Sequence, residues 1–480
     1  MCPAQHGTNE NMDAAFARVI QLMQKGRHFV DAFYMGRAQL ERSSHFDGKL
    51  PDFIRNAYEA GLMGECLEFL VSLVDNHPGD ADLLTYTAGL LGEMGQRQQS
   101  RAFAKMAAAR KPFFPSRVKN AKLHVLAMQC IATADYRYSP LGGRFYLPGL
   151  TNLYTLLDPG IAVHRLLVDD LPAALEAVKC LPKCDIVFNT ISDPDYEESL
   201  QNAAILCDAL ELPVFNHPRR VREMNRAALP AVLHGKSGRL MAAKSIYLPP
   251  ERAKNSDITT AMRKNRLDFP VILRAPGFQG GRHMALVQGE SDIEELGDEL
   301  YRGDGLYVIE FVDVSFQDPR AIGCWFYPKY RAFFANGQLF PIHLFVSNQY
   351  EVHKKTSNLV RARHPWLLDM ETEFVQDPER HLPEGLWDEL KAAISSFGLE
   401  YVGVDFAVST RPEDFGKLVL FECNPAMSNR IVLLPEGGRI QRQWHDVTLA
   451  AHIALCAKSG VAAWPFALKK GLLLSPEEYS

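Results

Sequence analysis

The sequence predicts a multidomain protein: an all-α helical-repeat N-terminal domain, then an α/β domain, then a larger α+β domain. Three observations predict it. Residues 13–118 show helical apolar spacing and no convincing strand. Residues 119–218 alternate short apolar runs with helical segments, the pattern of a small parallel sheet. From about residue 269 onward, strand-like runs pair across turn residues. The bulk numbers agree: 480 residues, 47% of them hydrophobic and 23% charged, make ordinary globular material with room for several domains. A net charge of −5 argues against a general nucleic-acid binder. No run approaches the ~18 apolar residues of a membrane span. Met1 to Asp13 is polar and lacks a signal-peptide core, and the nine cysteines are dispersed, so a cytoplasmic protein with reduced thiols is expected. Cys180 and Cys184 have no second Cys/His pair at zinc-site spacing and are expected to bind no metal.

In the helical front, Phe16, Val19, Ile20 and Met23 mark one apolar face, and Leu67, Leu70, Val71 and Val74 another. Gly61 and Gly95 lie 34 residues apart, as do Pro78 and Pro112. Leu73 and Ala107 precede those prolines at the same distance. This resembles the tetratricopeptide repeat, with residues 13–46 a poorer third copy whose Gly26 is shifted by one and with the usual first-helix Trp and Tyr not kept. The first domain is set at 1–118. One helix pair cannot bury its apolar face alone, so such pairs stack. The resemblance implies a docking surface for a peptide or protein partner, or a structural cap with no ligand.

In the α/β segment the expected strands are Leu123–Met128, Ile161–Val168, Asp185–Ile191 and Pro213–Phe215, with helices over Ala173–Lys179 and Glu197–Leu210. Ile191-Ser192-Asp193-Pro194-Asp195 falls at a strand's C-terminal end, where open α/β sheets line ligand crevices. Asp193 itself reads as the cap of the following helix. The loop Tyr138 to Arg144, with Gly142 and Gly143, is a weak phosphate signal because no strand runs directly into it.

Further on, Phe269–Arg274 reads as a strand that runs into a loop holding Gly277, Gly280 and Gly281, and a short strand to Val287 follows. Such glycines let backbone N–H groups approach an anion, and Arg274 can place a guanidinium on the same phosphates. The loop lacks the lysine and hydroxyl of a Walker loop, and it leads into a strand where a dinucleotide fingerprint leads into a helix. A helix is expected over Ile293–Tyr301. The strand Leu306–Asp313 then ends in acids, where a backbone edge can pair with adenine and an acid can accept from ribose. Asn336-Gly337 is a hairpin turn between Arg331–Phe334 and Leu339–His343.

The most informative stretch runs from Leu418 to Ser428, containing Phe421-Glu422-Cys423-Asn424-Pro425. Alternation puts Glu422 and Asn424 on one strand face and Cys423 on the other, in the core. Tyr401–Ser409 is a partner strand containing Asp405, with turn chemistry from Thr410 to Gly416 between the two. Pairing symmetric about that turn sets Asp405 opposite Glu422. Like charges directly opposite are destabilising unless a cation lies between them. Two carboxylates and an amide oxygen form the hard donor set that Mg²⁺ takes when it carries phosphates.

The order of elements together with Phe421–Pro425 resembles the ATP-grasp superfamily, carboxylate–amine ligase type, over about residues 120–465. The resemblance implies a pre-grasp α/β domain at 119–218 and an ATP-grasp α+β domain at 219–480, its lid at about 235–312 and its catalytic core at about 313–465. It implies that Arg274, Gly277, Gly280 and Gly281 contact the phosphates, that Glu310, Phe311 and Val312 read adenine, and that Asp313 takes the ribose. Asp405, Glu422 and Asn424 are implied as ligands of two Mg²⁺ that share Glu422. Asn216-His217-Pro218 resembles the linker into the grasp domain. Arg226 stands where the family has a lysine, which puts the α-phosphate contact in question, and Lys244 is the substitute. The expected activity is ATP-dependent joining of a carboxylate to an amine through an acylphosphate, with ADP and phosphate released, on an amino acid or peptide. Arg331 and Arg430 are the candidates for the acceptor carboxylate, and His283 and His343 for substrate contact or general base. A kinase that stops at a phosphorylated product and a non-catalytic nucleotide-binding scaffold are the rival readings. The sequence identifies neither substrate nor oligomeric state.

Overall fold

The computed structural model describes residues 6–43, 45–46, 48–131, 137–139, 144–146, 151, 153–278, 283–296, 300, 305–424 and 438–465. The chain divides into two compact units. One comprises Met1–Ser116, Met128–Gly149 and His164–Pro182; the other comprises Arg117–Ala127, Leu150–Val163 and Lys183–Ser480. Among the described residues no helix is long and apolar enough to cross a membrane.

The first unit opens with six helices: α1 (His6–Lys25), α2 (Phe29–Glu41), α3 (Leu50–Ala60), α4 (Met63–Asn76), α5 (Ala81–Glu93) and α6 (Arg97–Ala108). The recurrence in the sequence has a backbone cause. Gly61, between α3 and α4, and Gly95, between α5 and α6, hold φ of 73° and 80°. A Cβ at either position would meet nothing within 4 Å, so glycine is wanted there for its left-handed backbone and not for space. In the α1–α2 turn that conformation falls on Arg27, with φ 59°, one residue beyond Gly26; the offset seen in the sequence is thus a non-glycine at the left-handed position. Asp80 caps α5 by accepting from the Leu83 N–H at 2.8 Å. The apolar faces meet in a core where Phe33 stacks on Phe53 and Phe53 meets Phe69 edge-on.

Beyond α6 come β1 (Phe113–Phe114), β2 (Leu123–Gln129), β3 (Arg137–Ser139), β4 (Arg144–Tyr146) and β5 (Ile161–Leu167). In the first unit β1 pairs antiparallel with the last residues of β5, and β3 pairs with β4.

In the second unit β6 (Ile186–Asn189) and β7 (Val214–Phe215) continue a sheet in the order β5-β2-β6-β7. β6 and β7 run parallel, and the helix Glu197–Leu210 lies between them in sequence, the alternation that the pattern predicted. Two antiparallel-rich sheets follow. The first has the order β11-β10-β12-β9 and the second β14-β13-β15-β16-β8. Their strands are β8 (Leu240–Met241), β9 (Ser245–Leu248), β10 (Val271–Arg274), β11 (Met284–Val287), β12 (Leu306–Glu310), β13 (Tyr327–Ala335), β14 (Gln338–Ser347), β15 (Tyr401–Val408) and β16 (Leu418–Asn424). Asn336 and Gly337 both take positive φ, 50° and 74°, the two left-handed residues a tight hairpin needs between β13 and β14. The helix expected over 293–301 begins earlier, at Glu290, and runs to Glu295; residues 297–299 and 301–304 lie outside the described residues.

The linker residue Asn216 is fixed by its side chain. Its Oδ1 accepts from the N–H groups of Glu400 and Tyr401, each at 3.0 Å, and its Nδ2 donates to the Tyr401 carbonyl at 2.7 Å. Asn216 is itself buried, these bonds hold the start of β15, and it sits at φ 55°, where asparagine is tolerated and alanine strained. Asn216→Ala is therefore expected to cost about 2–4 kcal/mol, from orphaned buried groups plus backbone strain. A urea midpoint equal to that of the parent would contradict this.

Candidate functional site

The site is built on the β15–β16 hairpin. Asp405 lies directly opposite Glu422, and Gly403 opposite Asn424, so the symmetric pairing read from the sequence is the observed register at the acids. The register shifts between Asp405 and Phe406, leaving Phe421 as the extra residue of a bulge beside Glu422. Cys423 is buried, as alternation requires. On its other side Asp405 faces Arg331 of β13, and Arg331 faces His343 of β14. One row of the sheet thus carries His343, Arg331, Asp405 and Glu422 on four adjacent strands.

Two carboxylates side by side in a partly dry sheet need cations, and the protein supplies them. Asp405, 2% exposed, accepts two bonds from Arg331, Nε at 2.7 Å and Nη2 at 2.8 Å, and meets Lys329 Nζ at 3.2 Å. Burial alone would raise its pKa, but Arg331 and Lys329 hold it well below the usual carboxylate range. Glu422 meets Arg226 Nη2 at 3.4 Å and accepts from Asn424 Nδ2 at 3.0 Å. Burial pushes the Glu422 carboxyl up; Arg226 and Arg274 outweigh it and keep it ionised. Arg274 differs from the other cations. Its Nη2 donates to the Phe278 carbonyl at 2.7 Å, and burial together with the neighbouring Arg226 holds its pKa down to about 10.

A second pair of acids enters from the loop after β6. Asp195 accepts from the Tyr307 hydroxyl at 2.6 Å and from the Gly277 N–H at 3.1 Å, and it meets Arg226 Nη1 at 3.5 Å. Asp193 is buried and accepts from the Asp195 N–H at 3.0 Å; burial and Asp195 push its carboxyl up to about 6. The expectation that Asp193 caps the next helix is corrected here: Tyr196 stands at that helix's N-cap with no side-chain bond. The Asp193 carboxyl instead closes the tight turn at Pro194 by accepting from the Asp195 N–H. The sequence held the signal for this pair, two acids at a strand's C-terminal end, but it did not reveal Asp195, Tyr307 or Lys329 as members of the cluster.

The remaining candidates are placed as follows. Glu310 ends β12 and is engaged by Arg411 Nη1 at 2.7 Å and by the Lys244 N–H at 3.0 Å. Lys244 enters through its backbone while its residue is exposed. The Phe311 N–H donates to the Pro270 carbonyl, Val312 is buried in a small apolar cluster with Val314, Ala407 and Val419, and Asp313 accepts from the Ser315 N–H. Gly277 holds φ 73° at the start of the glycine loop. His283, at the loop's far end, packs its ring on Phe278 and accepts from the Ala275 N–H through its carbonyl. His343 is buried, with Nδ1 3.1 Å from Glu371, which also meets Arg361 at 2.9 Å. Gly280, Gly281 and Arg430 lie outside the described residues. Among the described residues no three His, Cys, Asp or Glu side chains come together as a metal site; the hairpin offers two acids and an amide.

No family model matches the chain, and no curated protein does. Solved structures do. The chain is similar to carboxyaminoimidazole ribonucleotide synthase from Aspergillus clavatus complexed with ATP, at 13% identity and TM-score 0.37 over 63% of this chain and 66% of that one. It is similar to D-alanine-D-alanine ligase from Coxiella burnetii, at 14% identity and TM-score 0.39 over 71% and 95%. It is also similar to N5-carboxyaminoimidazole synthetase from Staphylococcus aureus complexed with ADP, at 12% identity and TM-score 0.41 over 72% and 79%.

Proposed function

We propose that this chain is an ATP-grasp enzyme: an ATP- and Mg²⁺-dependent ligase that joins a carboxylate to an amine and releases ADP and phosphate. One observation carries the reading: the Glu422/Asn424 pair and Asp405 share a sheet face with the cations Lys329 and Arg331, while Arg226 reaches Glu422 from a neighbouring turn and Arg274 is close enough to act on Glu422. Two features of that cluster favour a polyanionic ligand. Arg274 has no carboxylate within ion-pair distance among the described residues. Arg226 Nη2 is buried without a hydrogen-bond partner.

The donor set fits magnesium: Glu422 and Asn424 present oxygens two residues apart on one strand. Both Asp405 oxygens already accept from Arg331, so Asp405 would contribute as a third ligand only by sharing with that guanidinium. When bound, Mg²⁺ supplies neutralisation of the phosphate charge. The chain's own groups do the rest. Arg274, Arg226 and the backbone of the glycine loop hold the phosphates, and Arg331 and Lys329 face the group that receives the phosphoryl. The catalytic contribution is positioning and electrostatics, which suits phosphoryl transfer to a carboxylate. The amine then displaces phosphate from the acylphosphate. We read α1 to α6 as tetratricopeptide-like repeats and as a docking surface for a peptide.

The test is an assay for ADP and phosphate release over a panel of amino acids and short peptides with MgATP. Ligation predicts ADP, phosphate and a condensed product in equal amounts. ADP with a phosphorylated product and no free phosphate would replace ligation by the kinase reading. Absence of MgATP binding by calorimetry would end both.

A further inference from the structure

We infer that Asp195 is a positioning residue of this site: one carboxylate that fixes the Gly277 amide and the Tyr307 hydroxyl and turns the Arg226 guanidinium toward Glu422. The inference rests on the nucleotide reading above and goes beyond it, because the sequence placed Asp195 only at a crevice-lining strand end and gave it no contact to Gly277, Tyr307 or Arg226.

This side chain, 3% exposed, ties its own segment to three others. Asp195 follows β6, Gly277 follows β10, Tyr307 lies on β12, and Arg226 precedes β8. Oδ1 takes the Tyr307 hydroxyl at 2.6 Å; Oδ2 takes the Gly277 N–H at 3.1 Å and lies 3.5 Å from Arg226 Nη1. A carboxylate taking one donor on Oδ1 and another on Oδ2 fixes both groups in direction as well as distance. Burial and Asp195 itself hold the Tyr307 phenol protonated, so it stays a donor. Asp195 is itself held by its neighbours: its N–H donates to Asp193, and the Tyr196 N–H donates to the Asp193 carbonyl.

The arrangement divides the Arg226 guanidinium. Nη1 goes to Asp195, while Nη2, lacking a hydrogen-bond partner, is left 3.4 Å from Glu422. Without Asp195 the guanidinium is free to turn both arms onto Glu422, and the face aimed at a phosphate is lost. The same carboxylate sets the direction of the first amide of the glycine loop, at a residue whose positive φ only glycine holds without strain.

A double-mutant cycle on the full chain tests this, with MgADP as the probe in titration calorimetry. Asp195→Asn is expected to raise the Kd about tenfold in the parent background and by clearly less, about threefold, on top of Arg226→Ala, because the guanidinium is then gone and only the Gly277 amide is left for Asp195 to position. An equal loss in both backgrounds would overturn the proposal, since a purely structural tie has no reason to act through Arg226. Hydrogen exchange of the peptide spanning residues 275–278, without nucleotide, should be faster in Asp195→Asn; unchanged exchange also overturns it. If Asp195→Asn does not fold, Tyr307→Phe removes one donor alone and should speed the same exchange, with no change again counting against the proposal. A parent protein that binds no MgADP refutes the nucleotide reading instead, and the exchange measurement still decides what Asp195 does.

Discussion

Glu422→Ala is expected to reduce ATP turnover by about a thousandfold or more while the protein remains folded. The carboxylate stands between Arg226, Asn424 and Asp405. On the proposed reading it would help hold Mg²⁺ against the phosphates, and loss of an electrostatic contact to a phosphoryl in flight costs on this scale. The check should not rest on turnover alone. In the parent, ADP should bind more tightly with Mg²⁺ than with EDTA; in Glu422→Ala the two affinities should coincide. The fold should survive because removing Glu422 also relieves its repulsion with Asp405, and Arg226 keeps Asp195 as a partner. Retained turnover, or a magnesium effect on ADP affinity as large as the parent's, would remove the metal assignment.

Arg274→Ala is expected to weaken MgADP binding by about ten- to a hundredfold, the range for removing a buried charged contact to phosphate. The opposite sign is expected for stability when the side chain is replaced by one of similar bulk, Arg274→Met. With its pKa held down to about 10 by burial and by Arg226, the guanidinium is a group that the fold disfavours in its charged form. The sign follows from linkage. A cation whose folded pKa lies below its unfolded value costs stability at every pH below the folded pKa, and the cost is relieved only as pH rises above it. At neutral pH the full cost applies, so Arg274→Met should melt at the parent temperature or higher while losing affinity. Residues that serve ligands at the expense of the fold behave this way. Equal nucleotide affinity in mutant and parent would contradict the phosphate role. A large drop in melting temperature for Arg274→Met would show that the guanidinium is structural.

Much of the architecture was legible because it is written in local rules. Gly61 and Gly95 occupy helix ends that demand a left-handed residue, so a backbone requirement surfaced as a 34-residue recurrence. Asn336-Gly337 prescribed its hairpin for the same reason. The pairing of Asp405 with Glu422 followed from counting about a turn, because strand side chains alternate with a period of two and a short hairpin leaves little freedom of register. The bulge at Phe421 was not visible, since one inserted residue leaves no compositional mark.

The charge balance was not legible. Nothing in the neighbourhood of Asp195 announces that it will meet Gly277, Tyr307 and Arg226, residues 31 to 112 positions away. Nor does the sequence indicate that Arg331 and Lys329 will both turn to Asp405. Alternation, capping and turn chemistry act between near neighbours and can be read along the chain. Which cation neutralises which buried acid depends on distances across segments that only the packed sheets bring together, and it is the low dielectric of that packing that makes the pairing obligatory.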